Sequence, residues 1–131
     1  MSDDSVKVKP KIPSYFDGRE HKKRRAKSMA QEDRIAKSVG GKRQKASGAL
    51  PGGRGDVRSV ELLGECKRTD KKSISITLDY LEKITKEASF YNKIPCVAIE
   101  IEAPPKFVNK DWILLPAGFV QELLEVYRGI A

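Results

Sequence analysis

Histidine is almost missing from this sequence: there is one, His21, in a chain of 131 residues. Catalysis by paired histidines, or by a metal finger built on histidine, has nothing to work with, so any hydrolytic chemistry falls to carboxylates. His21 stands in the run His21-Lys22-Lys23-Arg24-Arg25, where a solvated side chain is expected. Cysteine is scarce too. Cys66 and Cys96 form no CxxC and lie in apolar stretches, which fits buried free thiols in a reducing compartment. With one imidazole beside them, a four-ligand zinc site would need carboxylates to complete it. No apolar run approaches the roughly 18 residues of a membrane span, and the first ten residues, MSDDSVKVKP, hold no apolar signal core. Membrane and secreted proteins are therefore not expected, and a cytoplasmic one is.

What is there in excess is positive charge. The chain carries 26 Lys and Arg against 18 Asp and Glu, a formal +8, and 39% of its residues are apolar, enough for a folded core. The length suits one domain. The charge is uneven: residues 1–60 hold 16 basic and 7 acidic side chains, residues 61–131 hold 10 and 11. All the excess lies in the first half, which points to a polyanionic partner; a solubilising basic tail is the plainer alternative.

The order of elements follows from period and punctuation. Residues 1–27 are expected as a flexible, extended basic arm, since Pro10, Pro13 and Gly18 interrupt a stretch with few periodic apolar residues. The domain proper is expected over 28–131. A helix from Ser28 to about Val39 carries Met29, Ile35, Ala36 and Val39 and stops at Gly40-Gly41. Residues 40–55, GGKRQKASGALPGGRG, hold six glycines, one proline and four basic residues, the composition of a long mobile loop with a functional role. Short strands follow at Val57–Val60 and Leu62–Arg68, with another extended piece at Ser73–Thr77. Thr77 caps a helix over 78–91, whose Leu78, Leu81, Ile84, Ala88 and Tyr91 recur at spacings of three and four. A strand over Cys96–Ile101, a Pro-Pro turn at 104–105, a strand over Asp111–Leu115 and a helix opened by Pro116 complete the chain. That last helix should turn Phe119, Val120, Leu123, Leu124 and Tyr127 to one side. The class expected is α/β, a small mixed β-sheet flanked by helices.

The chemistry sits in Gly55-Asp56-Val57-Arg58-Ser59-Val60-Glu61-Leu62-Leu63-Gly64-Glu65-Cys66-Lys67. Side chains alternate along a strand, so Glu65 and Lys67 share one face and Cys66 points the other way, into the core. Asp56 reaches Glu65 if the chain folds back between them. Two nearby carboxylates repel, and a hard cation such as magnesium, which takes oxygen ligands and keeps several waters, relieves the repulsion. The Cys66 backbone carbonyl lies between the two site side chains and is a natural further ligand. Such a cation polarises a phosphodiester and makes bound water acidic. An exposed strand pair of Glu65 and Lys67, with Asp56 a turn residue, fits the same residues.

The arrangement Asp…Glu-x-Lys followed by a helix and a strand resembles the PD-(D/E)xK nuclease superfamily, and within it the archaeal and phage Holliday-junction resolvases. The resemblance covers about residues 28–125 and five positions in order: Glu32 on the first helix, Ser47 of Ser47-Gly48 in the loop, then Asp56, Glu65 and Lys67. Gly55 stands where the superfamily's name has Pro. Asp33 is an alternative helix ligand, but helix neighbours point about 100° apart, so only one faces a shared metal. The resemblance implies a restriction-endonuclease-like core and a Mg2+-dependent hydrolysis of DNA leaving a 5′ phosphate, with Mn2+ able to substitute. Glu32, Asp56, Glu65 and the Cys66 carbonyl would hold metal, Lys67 would assist the water, and Ser47 would touch the scissile strand. Lys42, Arg43, Lys45 and Arg54 in the loop, and Lys22, Lys23, Arg24 and Arg25 before it, suit DNA phosphates, with no aromatic residues interleaved for base stacking. Paired symmetric cuts in a four-way junction call for two sites, hence a homodimer. A compact phage protein acting in its host's cytoplasm fits these features. A flap, branched or single-strand DNA nuclease of the same superfamily fits the motif too, and a non-catalytic basic nucleic-acid-binding protein fits the charge.

Overall fold

The computed structural model describes residues 14–44 and 55–129, with side chains from Arg19 onward. Helix α1 runs Ser14–Ser38, β1 is Lys42–Arg43, β2 Val57–Arg58, β3 Leu62–Thr69, α2 Leu78–Phe90, β4 Ile94–Ile101, β5 Asp111–Leu114 and α3 Ala117–Tyr127. The strands form one five-stranded sheet in the order β1-β2-β3-β4-β5, the α/β class expected. β1, β2 and β3 are antiparallel neighbours, β3 and β4 are parallel, and β5 returns antiparallel to β4. A parallel pair needs a crossover, and α2 supplies it.

Helix α1 starts well before the Ser28 expected, and residues 14–27 are helical, not an extended arm. Lys, Arg, Glu and Ala over 19–27 are strong helix formers that need no apolar stripe while they face solvent, which is why periodicity missed them. The helix stops where expected. Gly40 adopts φ 68°, and the Gly40 and Gly41 amides donate to the Lys37 and Ala36 carbonyls, the hydrogen-bond pattern of a Schellman stop. Gly41 passes so close to β2 that a Cβ there would run into the Arg58 carbonyl.

The C-terminal half of α1 covers one face of the sheet. Ile35 and Ala36 pack with Val57 and Ala98, joined by Val39, Cys66 and Ile113, so Cys66 points into the core as its strand position requires. Gln31, 1% exposed, fastens the helix down: its Nε2 donates to the Lys67 carbonyl at 2.8 Å and the Ala98 carbonyl at 3.4 Å. On the other face α2 buries Ile84 and Ala88. Thr77 caps α2 as expected, accepting from the Tyr80 amide at 3.2 Å. Leu78 is exposed, and no side chain of α3 is buried, because α3 follows the four-residue edge strand β5 and has little sheet to lie on. Ser73–Thr77 forms no strand.

Candidate active site

Asp56 is fixed by the sheet rather than by its own strand. Its amide donates to the Gly64 carbonyl at 2.8 Å, and its carbonyl accepts from the Gln44 amide at 2.8 Å. The next residue, Val57, pairs with Gly64, so continuing the register sets Asp56 opposite Glu65. The expected fold-back between the two therefore occurs. Asp56 Oδ2 accepts from the Cys66 amide at 2.7 Å, filling the place a longer β2 would have taken.

That substitution also fixes where the Cys66 carbonyl points. The Glu61 and Thr69 carbonyls bond toward β4, whereas the Gly64 carbonyl and the Cys66 amide both meet Asp56. A strand residue presents its N–H and C=O to the same side. The Cys66 carbonyl accordingly faces the β2 side, beyond the last described pair of the β2–β3 ladder.

Glu32 comes in from α1, half-buried. Its neighbour Asp33 is exposed and held by Arg43 Nε at 2.9 Å, so of the two it is Glu32 that lies in the field of Asp56. Burial, and then the Asp56 charge, push the Glu32 carboxyl up to about 7. Glu65 is also pushed up to about 7, by burial first and then by the charges of Asp56 and Glu87. Asp56 is raised by burial, against which the Cys66 amide and Lys83 pull it down. Three carboxylates from three elements thus share one partly desolvated neighbourhood. Among the described residues, no three Asp, Glu, His or Cys side chains already stand close enough together to grip an ion. The donors are all oxygen, the set a hard divalent cation prefers, and burial, joined at Glu32 and Glu65 by the Asp56 charge, raises their affinity for protons. On chemistry, the residues fit Mg2+ or Mn2+.

Lys67 shares the Glu65 face as expected, and its ammonium is engaged with neighbours of α2. Nζ donates to the Ser75 carbonyl at 3.0 Å and lies 4.5 Å from the centre of the Tyr80 ring. Lys42 and Arg43 belong to β1 rather than to a loop. Ser47, Lys45 and Arg54 lie outside the described residues. Lys22, Lys23, Arg24 and Arg25 are exposed on α1, and Lys23 and Arg24 line a cleft with Lys27, Arg68 and Thr69.

Sequence reasoning missed one support, Gln31, whose bonds to β3 and β4 set the turn of α1 that carries Glu32; nothing in the sequence marks that glutamine. On α2, Lys83 and Glu87 lie in the field of the carboxylates, on the helix that follows the motif. Comparison with protein-family models, curated proteins and solved structures finds no match.

Proposed function

We propose that the chain is a Mg2+-dependent endodeoxyribonuclease of the PD-(D/E)xK kind, with a restriction-endonuclease-like core, that resolves four-way DNA junctions. The observation that supports this reading is that Glu32 of α1, Asp56 just before β2 and Glu65 of β3 lie in one another's electrostatic field, with Asp56 tied to the Cys66 amide past the end of β2. A bound divalent cation would supply Lewis acidity toward the phosphodiester and acidify a water. The residues of the chain do the holding. Glu32, Asp56, Glu65 and the Cys66 carbonyl would hold the cation, with the Cys66 amide fixing Asp56 and Gln31 setting the turn of α1 that carries Glu32. In the hydrolysis a water oxygen bonds to phosphorus as the P–O3′ bond breaks. The 3′ oxygen leaves as a hydroxyl with a proton from solvent, the water releases one, and a 5′ phosphate remains.

The exposed basic half of α1 supports a DNA partner by charge alone, since Lys and Arg on phosphates position a duplex without reading bases. Two symmetric cuts require two copies of the site, so the working form is a two-fold homodimer. Of the two helices with apolar faces, α2 spends its Ile84 and Ala88 on the sheet, whereas α3 buries nothing. The α3 side is therefore the dimer surface. No helix among the described residues is long and apolar enough to cross a membrane, and we place the enzyme in the cytoplasm, that of a host if a phage encodes it.

Incubation with a synthetic four-way junction and with linear duplex, with and without Mg2+ or Mn2+, tests the reading. Paired nicks in the junction only, lost in Glu65→Gln with binding kept, are expected. Equal cutting of flaps or single strands would shift the substrate, and binding without cleavage under any divalent cation would leave a basic nucleic-acid-binding protein.

A further inference from the structure

We infer that Lys83, at the rim of α2, is the ammonium of the carboxylate site, and that Lys67, the lysine of the motif, is a strut beneath it. The assignment rests on the nuclease reading above. Its basis is how α2 lies on the sheet. Tyr80, Glu87 and Tyr91 fall on one stripe of the helix at spacings of seven and four, with Lys83 a step further toward solvent on the same flank. Both ends of the stripe are pinned to the sheet. At one end the Tyr80 ring lies against Lys67 Nζ, 4.5 Å from the ring centre. At the other the Arg58 guanidinium lies 4.3 Å from the centre of the Tyr91 ring, and Arg58 is the cross-strand partner of Leu63. Between Leu63 and Lys67, on that face of β3, there is one residue, Glu65. The middle of the stripe must therefore hang over Glu65, with Glu87 and Lys83 beside it.

The opposite flank of α2 confirms this setting of the helix, because Leu81 and Thr85 line a groove with Pro95, Val97 and Leu114 on the β4–β5 side. Lys83 is consequently on the β2–β3 side. It is exposed, so its ammonium is free to follow a substrate, and its charge acts on both Asp56 and Glu65. The Lys67 ammonium instead donates to the Ser75 carbonyl and lies against the Tyr80 ring, where it joins β3 to the segment leading into α2. During hydrolysis Lys83 offsets the negative charge that grows on the non-bridging phosphate oxygens as the water oxygen bonds to phosphorus and the P–O3′ bond breaks.

The test compares Lys83→Met and Lys67→Met with the wild-type chain by calorimetric titration of Ca2+, by thermal melting and by junction cleavage in Mg2+. A lysine beside a cation site repels the cation, so Lys83→Met should bind Ca2+ about threefold more tightly. It should melt like the wild type and cleave at least about tenfold more slowly. Lys67→Met should leave Ca2+ affinity unchanged and lower the melting temperature by about 3 °C or more. Lys83→Arg should recover part of the cleavage, because the charge returns. Lys83→Met with wild-type Ca2+ affinity and wild-type cleavage overturns the assignment while the nuclease reading stands. A wild-type chain that binds no divalent cation and cuts no DNA sinks the nuclease reading and takes the assignment with it.

Discussion

The Asp56 carboxylate accepts a 2.7 Å hydrogen bond from the Cys66 amide, so one side chain both ends the β2–β3 ladder and points an acid at the site. Asp56→Ala leaves a partly buried amide without an acceptor, which costs about 1–3 kcal/mol. Asp56→Asn keeps an acceptor oxygen and removes one of the three negative charges. Urea unfolding at pH 8 should accordingly find Asp56→Ala less stable than wild type and Asp56→Asn equal to it or better. Both variants should lose divalent-cation binding, which separates the structural from the chemical share of the residue.

The two raised carboxyls set the pH dependence of folding. Glu32 and Glu65 hold their protons up to about 7 in the folded chain, whereas the unfolded chain releases them near 4.5. Between those values the folded state binds more protons, so stability falls as pH rises through the window and levels off above it. Solvent screening of two half-exposed groups limits the loss to on the order of 1–2 kcal/mol. Melting in the absence of divalent cations should be higher at pH 5 than at pH 8, and Glu65→Gln should flatten the profile. Millimolar Mg2+ should restore the pH 8 melt if the carboxylates hold it. Cleavage should rise through pH 7, as the same groups lose their protons. Glu102, held down at about 2 by Lys27 and Arg68, loses its contribution only in far more acidic solution.

Much of this site was legible in order and little of it in depth. Alternation along β3 placed Glu65 and Cys66 on opposite faces, and Gly40-Gly41 marked the end of α1. What periodicity could not carry was where a long side chain ends. Lys67 lies on the right face, yet its ammonium goes to the Ser75 carbonyl, a partner set by an irregular segment the sequence suggested as a strand. The first 14 residues of α1 escaped for a different reason: a helical segment that meets the sheet through charged side chains, as Lys27 meets Glu102, has no hydrophobic signature, and its composition reads equally as an unstructured basic arm.

A second polar cluster lies at the far end of the same helix–sheet interface. Glu100, 3% exposed, faces Arg34 at 3.2 Å, Arg68 at 3.3 Å and Lys110 at 3.4 Å. Burial alone would push its carboxyl up; the Arg68 hydrogen bond and charge, with those of Lys110 and Arg34, hold it below the usual range. Glu100→Ala leaves Arg68 half-paired under α1 and should destabilise the fold by about 2–4 kcal/mol. Glu102→Ala touches the same Arg68 from the solvent side and should cost much less. Denaturant titration of the two variants checks the ranking, and neither should change cleavage rate at a temperature where both are folded.

The α3 surface is where quaternary structure can be separated from stability. Leu123 is 45% exposed and Leu124 is 42% exposed, on a helix that buries none of its residues, and Trp112 on the neighbouring edge strand is 48% exposed. Replacing a leucine that already faces water removes little burial, so in an isolated chain Leu124→Glu changes stability by no more than about 0.5 kcal/mol. If the same leucine lies at the centre of a two-fold contact, it meets its own copy near the axis, and the substitution sets two like charges together in an apolar interface. Sedimentation should then report a dimer for the wild type and a monomer for Leu124→Glu, with cooperative unfolding retained. Junction cleavage by the variant should fall from paired cuts to single nicks, because each carboxylate cluster still hydrolyses but no longer arrives with its twin. A wild-type chain that sediments as a monomer at working concentration, yet resolves junctions by paired cuts, would remove the need for this surface altogether.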